Sequence, residues 1–299
     1  MIEASIVVPT YNRLSTLRVV LPSLTEQDVS ADRYEILICD SNSTDGTAEY
    51  VSSFRVGHPN VRRIAGAFSG RAMARNAGIA AAAGAVVLFN DSDIIASPDL
   101  LSTHLRRHRA EAKIAVVGCE VQVKSLEDYA DKRDHPERRN PLHPPSRKRL
   151  SWLYFLTGNA SVRREDLLRV GGFDESFTGY GHEDLELGYR LQKAGVTILY
   201  EPRAINYHWQ DIAHEDQIEK MKLAGRSTVR FYRKHPDFAV MLNLGMTPIS
   251  LGVHSAVSKV PWILNALNHR ASRSRFARAF VQQYHYVSGI KSALSERVE

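Results

Sequence analysis

Over its first 123 residues the chain alternates short β-branched runs with longer helical segments, and that alternation restricts the fold more than any other feature. The strand-like runs are Ser5–Val8, Glu35–Cys39, Val61–Ile64, Ala85–Phe89 and Ile114–Val123. Helix-like stretches lie between them at Leu14–Gln27, Thr47–Phe54, Arg71–Ala83 and Pro98–Ala110. Ser97 and Asp99 are start signals for the last of these, with Pro98 in its first turn. Parallel strands need crossovers of this length. The pattern therefore predicts an α/β fold with a mainly parallel central sheet flanked by helices.

From Asp131 to Arg149 the alternation lapses, and His135-Pro136, Asn140-Pro141 and His143-Pro144-Pro145 predict a long exposed loop. Regular structure resumes near Trp152. A helix is expected over Glu183–Lys193, with Leu187 and Leu191 facing the core, then strands at Thr197–Tyr200 and Ala204–Tyr207. Beyond His214 the pattern is helical to the end, and Pro261 should kink or divide the apolar segment Pro248–Leu267.

Composition excludes the unusual classes: 43% hydrophobic and 24% charged is ordinary for a globular chain. Cys39 and Cys119 sit beside apolar runs and read as buried free thiols of a reducing compartment. A strand pattern at Ala4–Pro9 leaves no room for a signal peptide, and no apolar run approaches the roughly eighteen residues of a membrane span. The expected location is cytoplasmic. Seven basic residues from Lys259 onward face only Glu296 and Glu299, so the tail accounts for five of the six net positive charges. Such a tail suits an anionic partner, nucleic acid or a membrane surface; a solvated helix face explains it as well.

Four constellations carry chemistry. Val8-Pro9-Thr10-Tyr11-Asn12-Arg13 ends the first strand, where ligands bind in open α/β sheets. Turn chemistry also explains its Pro, Thr and Asn. Asp40, ending the second strand, can accept a hydrogen bond from a base or ribose, whereas Asp45 reads as the cap of the next helix. After the apolar strand Ala85–Phe89 comes Asn90-Asp91-Ser92-Asp93, whose carboxylates at i and i+2 fit a Mg²⁺ or Mn²⁺ ion shared with phosphate oxygens. Last, Gly171-Gly172-Phe173-Asp174-Glu175 and Gly179-Tyr180-Gly181-His182 lead into Glu183-Asp184. Acids there offset the helix dipole, but that does not account for the glycines, which let a substrate approach the backbone.

In this order the motifs, with Gly70-Arg-Ala-Met-Ala-Arg-Asn-Ala-Gly, resemble the family 2 inverting glycosyltransferases of GT-A fold. The stretch from Gly158-Asn-Ala-Ser to Glu183-Asp-Leu-Glu-Leu-Gly-Tyr-Arg-Leu is similar to the acceptor-side half of galactosyltransferase-like enzymes. The resemblance covers residues 4 to 210 and not the tail. It implies a GT-A domain over 1–235, with a nucleotide-sugar half over 1–123 and an acceptor half over 150–235, followed by a helical C-terminal extension over 236–299. Pro9, Thr10, Tyr11, Arg13, Asp40, Arg71, Asp91 and Ser92 would meet the nucleotide sugar, usually a uridine one. Asp93 would hold Mn²⁺ or Mg²⁺, with His208 as a further metal ligand; a histidine ending a strand is otherwise structural. Asp184 would be the catalytic base, with Glu183, Gly181 and Tyr180 on the acceptor. Ile94 stands where an acid often follows the metal motif, and the Gln-x-x-Arg-Trp motif of processive synthases is absent, which favours single-sugar transfer.

The implied partners are a nucleotide-sugar donor and a glycan, lipid-linked or other hydroxyl acceptor. Through its tail the chain could also touch the inner face of an anionic membrane or form a homodimer; no nucleic acid is expected. The alternative is a non-catalytic nucleotide- or carbohydrate-binding protein on the same fold. A dinucleotide dehydrogenase lacks its glycine fingerprint here.

Overall fold

Strand β1 (Ala4–Thr10) is buried along its whole length, because it pairs on both sides and is covered on both faces. In the computed structural model, which describes residues 1–141, 147–210, 214–271 and 273–296, the chain divides into two compact units. One is Met1–Thr178 with Glu183–Asp211; the other is Gly179–His182 with Ile212–Glu299.

The first unit is built on β1, β2 (Tyr34–Asp40), β3 (Val61–Ala65), β4 (Val86–Phe89), β5 (Ile94–Ala96), β6 (Ile114–Val123), β7 (Arg149–Leu150), β8 (Ala160–Arg163) and β9 (Thr197–Trp209). They form one sheet in the order β3-β2-β1-β4-β8-β6-β9-β5, with β7 also paired to β9. The β3-β2-β1-β4 half is parallel, as its crossovers α1 (Leu14–Thr25), α2 (Thr47–Phe54) and α3 (Arg71–Ala81) require. In the other half β8 runs against both β4 and β6, and β9 runs with β6 but against β5 and β7. Ile6, Val8, Ile36 and Ile38 point to one face and pack on Leu17, Val20, Leu21 and Leu24 of α1. This is the period-2 face of a strand meeting the i, i+3/i+4 stripe of a helix.

The remaining helices of this unit are α4 (Leu100–Ala110), α5 (Leu126–Asp134), α6 (Arg164–Arg169) and α7 (Glu183–Lys193). Two expectations change here. The expected Asp131–Arg149 loop begins inside α5, whose N-cap Ser125 accepts a bond from the Asp128 amide. It continues as a single turn at Pro136–Arg138 and ends in β7, while residues 142–146 lie outside the described residues. The two strands expected around residue 202 are one, β9. Its register against β6 jumps from Gly118↔Glu201 to Cys119↔Ile205, so Pro202, which has no N–H for the ladder, sits in the bulge.

The second unit contains α8 (His214–Lys234), α9 (Phe238–Asn243), α10 (Pro248–Ser258), α11 (Pro261–Arg270) and α12 (Arg275–Ser295). Pro261 does divide the apolar segment, as the first residue of α11. Helices α8 and α12 touch backbone to backbone: a Cβ on Gly225 would lie 2.0 Å from the Tyr286 carbonyl, and one on Gly289 2.0 Å from that of Lys222. Val229, Met246, Ile290 and Ala293 form the core beside them. Gly179–His182 belongs to this unit. Ser227 Oγ donates to the Tyr180 carbonyl at 3.1 Å, and the His182 imidazole meets Thr228 Oγ1 at 2.9 Å.

Candidate active site

The loops after β1 and β2 are sewn together by their own polar groups. Thr10 and Asp40 are register partners, the Ser41 amide donates to the Thr10 carbonyl, and the Thr44 amide donates to Asn12 Oδ1 at 2.8 Å. Asp45 serves two helices. Its Oδ2 accepts from the Leu14 amide heading α1 and its Oδ1 from the Thr47 amide heading α2, whereas the N-cap position of α2 is Gly46 at φ +91°.

Asp40 is fully buried, with Oδ2 taking Arg63 Nε at 2.8 Å and Arg63 Nη2 at 2.6 Å, while Oδ1 takes the Ser43 amide. A ligand reaching Asp40 would share it with this cation, which the sequence did not single out. Pro9 is buried, and Tyr11 and Arg13 are exposed. Thr10 Oγ1 is buried with no hydrogen-bond partner among the described residues, an unmet bond at the end of β1.

The loop after β4 is pinned by Asn90, whose amide donates to the Asp91 and Ile94 carbonyls. Ser92 is buried there, and Arg71 is exposed at the head of α3. Arg75, one turn further along α3, is fully buried and bridges two predicted site acids. Its Nη2 lies 2.7 Å from Asp91 Oδ1 and its Nη1 3.2 Å from Glu183 Oε1. The guanidinium also lies 5.5 Å from the centre of the Phe173 ring. Burial by itself would raise the Asp91 carboxyl, but the Arg75 charge, and then that of Arg71, outweigh it and hold it below the ordinary value.

Asp93 is placed by β9, whose Trp209 amide donates to its carbonyl, and it faces His208 across 3.6 Å (carboxylate oxygen to Nε2). The other imidazole nitrogen lies 2.9 Å from Glu120 Oε1 on β6, and Gln122 donates to the same carboxylate. Burial opposes charge on this ring, but hydrogen bonding and charge from Asp93 and Glu120 win and push it up to about 10. Glu120 was not anticipated, although Glu120 and Gln122 are polar at i and i+2 in an otherwise apolar strand. No group of three His, Cys, Asp or Glu side chains suited to a metal occurs among the described residues. A hard carboxylate oxygen beside an imidazole nitrogen, with the far nitrogen oriented by a second carboxylate, nevertheless fits a divalent ion completed by phosphate oxygens.

The acids opening α7 have different fates. Glu183 is paired with Arg75, and Glu186 with Arg190. Asp184 has no ion-pair partner among the described residues; its Oδ1 accepts only the Leu185 amide, and its side chain stays partly exposed. Burial by surrounding protein, followed by the neighbouring Glu183 charge, pushes its carboxyl up to about 7 against the pull of Arg75. The Gly171-Gly172 pair has a use the sequence did not suggest. Both adopt left-handed φ (+83° and +68°), and their amides donate to the Leu168 and Leu167 carbonyls, closing the C-terminus of α6. Asn76 of α3 then pairs with both the amide and the carbonyl of Phe173. Tyr180 and Gly181 fall in the second unit; Gly181 has φ +95° and Lys220 lies 5.5 Å over the Tyr180 ring.

Comparison with known proteins gives consistent matches. The family model "Glycosyl transferase family 2" matches residues 5–171, and that of the "N-terminal domain of galactosyltransferase" matches residues 142–214. Validoxylamine A glucosyltransferase of Streptomyces hygroscopicus subsp. jinggangensis is 32% identical over a 271-residue alignment that takes in 78% of this chain and 61% of the relative. Chondroitin synthase of Escherichia coli is 25% identical over 269 residues, 77% of this chain and 39% of its own length. The chain thus spans only part of the curated relatives it matches. Mannosyltransferase PcManGT from Pyrobaculum calidifontis, solved with GDP-Man and Mn²⁺, superposes with a TM-score of 0.68 at 21% identity, covering 99% of this chain and 88% of its own. Staphylococcus aureus TarS 1-349 with UDP superposes with a TM-score of 0.59 at 19% identity, covering 99% and 92%. These two likenesses concern the fold.

Proposed function

The chain belongs to glycosyl transferase family 2, and from that premise we propose that it moves one sugar from a nucleotide-sugar donor, a UDP-sugar, to an acceptor hydroxyl with inversion. The observation that carries this reading is Arg75. One buried guanidinium holds Asp91, in the acidic loop after β4, and Glu183, beside Asp184 at the head of α7. It thereby ties the loop suited to a diphosphate to the carboxylate suited to an acceptor.

The reaction is a single displacement. The acceptor oxygen attacks the anomeric carbon while Asp184 takes its proton, and the bond from that carbon to the diphosphate oxygen breaks, releasing the nucleoside diphosphate. A base held near pH 7 in its affinity for protons suits that transfer. Asp93 and His208, with Glu120 orienting the imidazole, would hold the divalent ion. When bound, that ion offsets charge growing on the departing diphosphate. Mn²⁺ with GDP-Man in PcManGT and UDP in TarS support a metal and a nucleoside diphosphate here. Acceptors of glycan or lipid-linked type fit the same reaction.

Nucleoside diphosphate release from a donor panel with Mn²⁺ and candidate acceptors tests this reading. Wild type should turn over, chelator should stop it, and Asp184→Asn should lower the rate about a hundredfold to ten-thousandfold while still binding nucleotide. Donor binding without turnover under any acceptor would favour a binding protein on this fold instead.

A further inference from the structure

All but two of the chain's 33 acidic residues lie before residue 238, and none lies between Asp237 and Glu296. That run holds α9 to α12. It carries Lys259, Arg270, Arg273 and Arg275, all exposed. Helices α9 and α12 bury Val240, Val281, Val287 and Ile290 in the ordinary way, but α10 and α11 fully bury no apolar side chain. In α10 the buried residue is His254, stacked on Tyr284 with ring centres 4.4 Å apart, while Ile249 and Val253 stand 78% and 50% exposed on the outside. Phe238 and Leu242, at i and i+4 on α9, are exposed, as are Trp262 on α11 and Phe276 on α12. No residue of α11 is buried. A helix in water turns its apolar stripe to the core; in α10 Leu251 packs partly on the core, but the buried residue is an imidazole and Ile249 and Val253 stay outside.

We propose that α9 to α12 form a surface that docks peripherally on an anionic lipid bilayer. Ile249, Val253, Trp262 and Phe276 enter the headgroup boundary, and the basic residues meet lipid phosphates. Apolar residues with tryptophan beside clustered arginines are the composition of interfacial helices, and the stretch without acids between Asp237, which caps α9, and Glu296, which ends α12, complements anionic lipid. Contrary to the expectation from the sequence, Phe238–Ser258 is long and apolar enough to cross a membrane by length and composition, but the chain breaks there. Gly245 at φ +66° ends α9, and Thr247 with Ser250 forms a capping box that starts α10. Hydrocarbon does not tolerate such a break unless protein covers it, whereas the wet interface does. Nucleic acid would have use for the arginines but none for Ile249 or Val253. A second copy would bring like charge against like. This surface is independent of the chemistry proposed for Asp184.

The test is sedimentation of the full chain with phosphatidylcholine vesicles, with and without about one-third phosphatidylglycerol. Binding should require the anionic lipid and weaken at least about tenfold in high salt. It should shift tryptophan emission to the blue, a shift lost in Trp262→Phe. Ile249→Ser with Val253→Ser, at exposed sites that leave the fold intact by circular dichroism, should weaken binding about tenfold at unchanged salt. Several results would overturn the proposal: no binding to anionic vesicles at low salt, binding indifferent to the aliphatic changes, or a basic surface that captures only nucleic acid. Self-association abolished by the aliphatic pair, without vesicle binding, would do so equally by showing that a second copy covers this face.

Discussion

Arg75 illustrates why single residues carry so much of this site. A buried ion pair contributes little net stability, but stripping one partner leaves charge in a low dielectric. Arg75→Met should leave Asp91 and Glu183 uncompensated and cost about 3–5 kcal/mol in urea unfolding. Adding Glu183→Gln should restore part of that loss, and a single-variant loss below about 1 kcal/mol would remove Arg75 from the role. Asp184 gives a second expectation. Its carboxyl is pushed up to about 7, and only its ionised form accepts a proton. kcat/KM should therefore rise as pH passes upward through about 7, and Asp184→Asn should flatten that limb; an unaltered profile in the variant would assign the limb to another group. The acids of the site were visible in the sequence because each follows a strand or opens a helix. Arg63 and Glu120 were not, and Arg75 stood in the Gly70–Gly78 motif without a role, because the partner of a buried acid depends on which strands and helices become neighbours. For Glu183 that partner comes from α3, more than a hundred residues earlier.

Between elements, the turn that follows α6 is held as firmly as the helices. Gly172 combines φ +68° with a position where a Cβ would lie 2.5 Å from Asn76 Oδ1. Gly172→Ala should therefore cost about 1–3 kcal/mol from backbone strain and the lost Asn76 bridge. In a double-mutant cycle with Asn76→Ala the two losses should fall short of additive; strict additivity would mean that the contact is not shared. The elements were legible where one periodicity runs unbroken: α2 and α7 occupy Thr47–Phe54 and Glu183–Lys193, the limits their patterns indicated. They were obscured where local signals conflict. Pro202 suggested two strands, but a parallel partner, β6, continues through the bulge and keeps β9 whole. The Ser125 cap and the acids after it announce α5, yet the histidines and prolines downstream pull the reading toward a loop. The pairing of β8 against β4 and β6, which makes the sheet mixed, leaves no trace in any one strand's pattern.

For the molecule as a whole, pH should govern stability through imidazoles that the fold keeps neutral. His104 and His108 of α4 both reach Ser161 Oγ at 2.8 Å from the far side of the sheet's middle, and His104 also meets Asn159 Oδ1 at 2.9 Å. Burial, the largest cause for both, pushes their affinity for protons down, to about 4 for His104 and about 3 for His108. The unfolded chain takes up a proton on each near pH 6.5, whereas the folded one does not until far lower. The unfolded state thus binds more protons across that interval, and stability falls as pH falls. The contribution is complete above 6.5 and erodes below it. By pH 5 the loss should reach about 2 kcal/mol per imidazole. Asp184 acts in the opposite sense, because a carboxyl raised from 3.8 to about 7 makes the fold the better proton acceptor as pH drops. Asp184→Asn removes that compensation, so its Tm should fall more steeply than wild type between about pH 7 and 5. His182 is likewise pushed down to about 4 by burial, so His104→Asn placed on top should shallow the slope by about a third if the three imidazoles contribute alike. A Tm independent of pH across that window in the Asp184→Asn chain would mean that the buried imidazoles take up protons without opening the fold, and the acid sensitivity would then belong to the carboxylates.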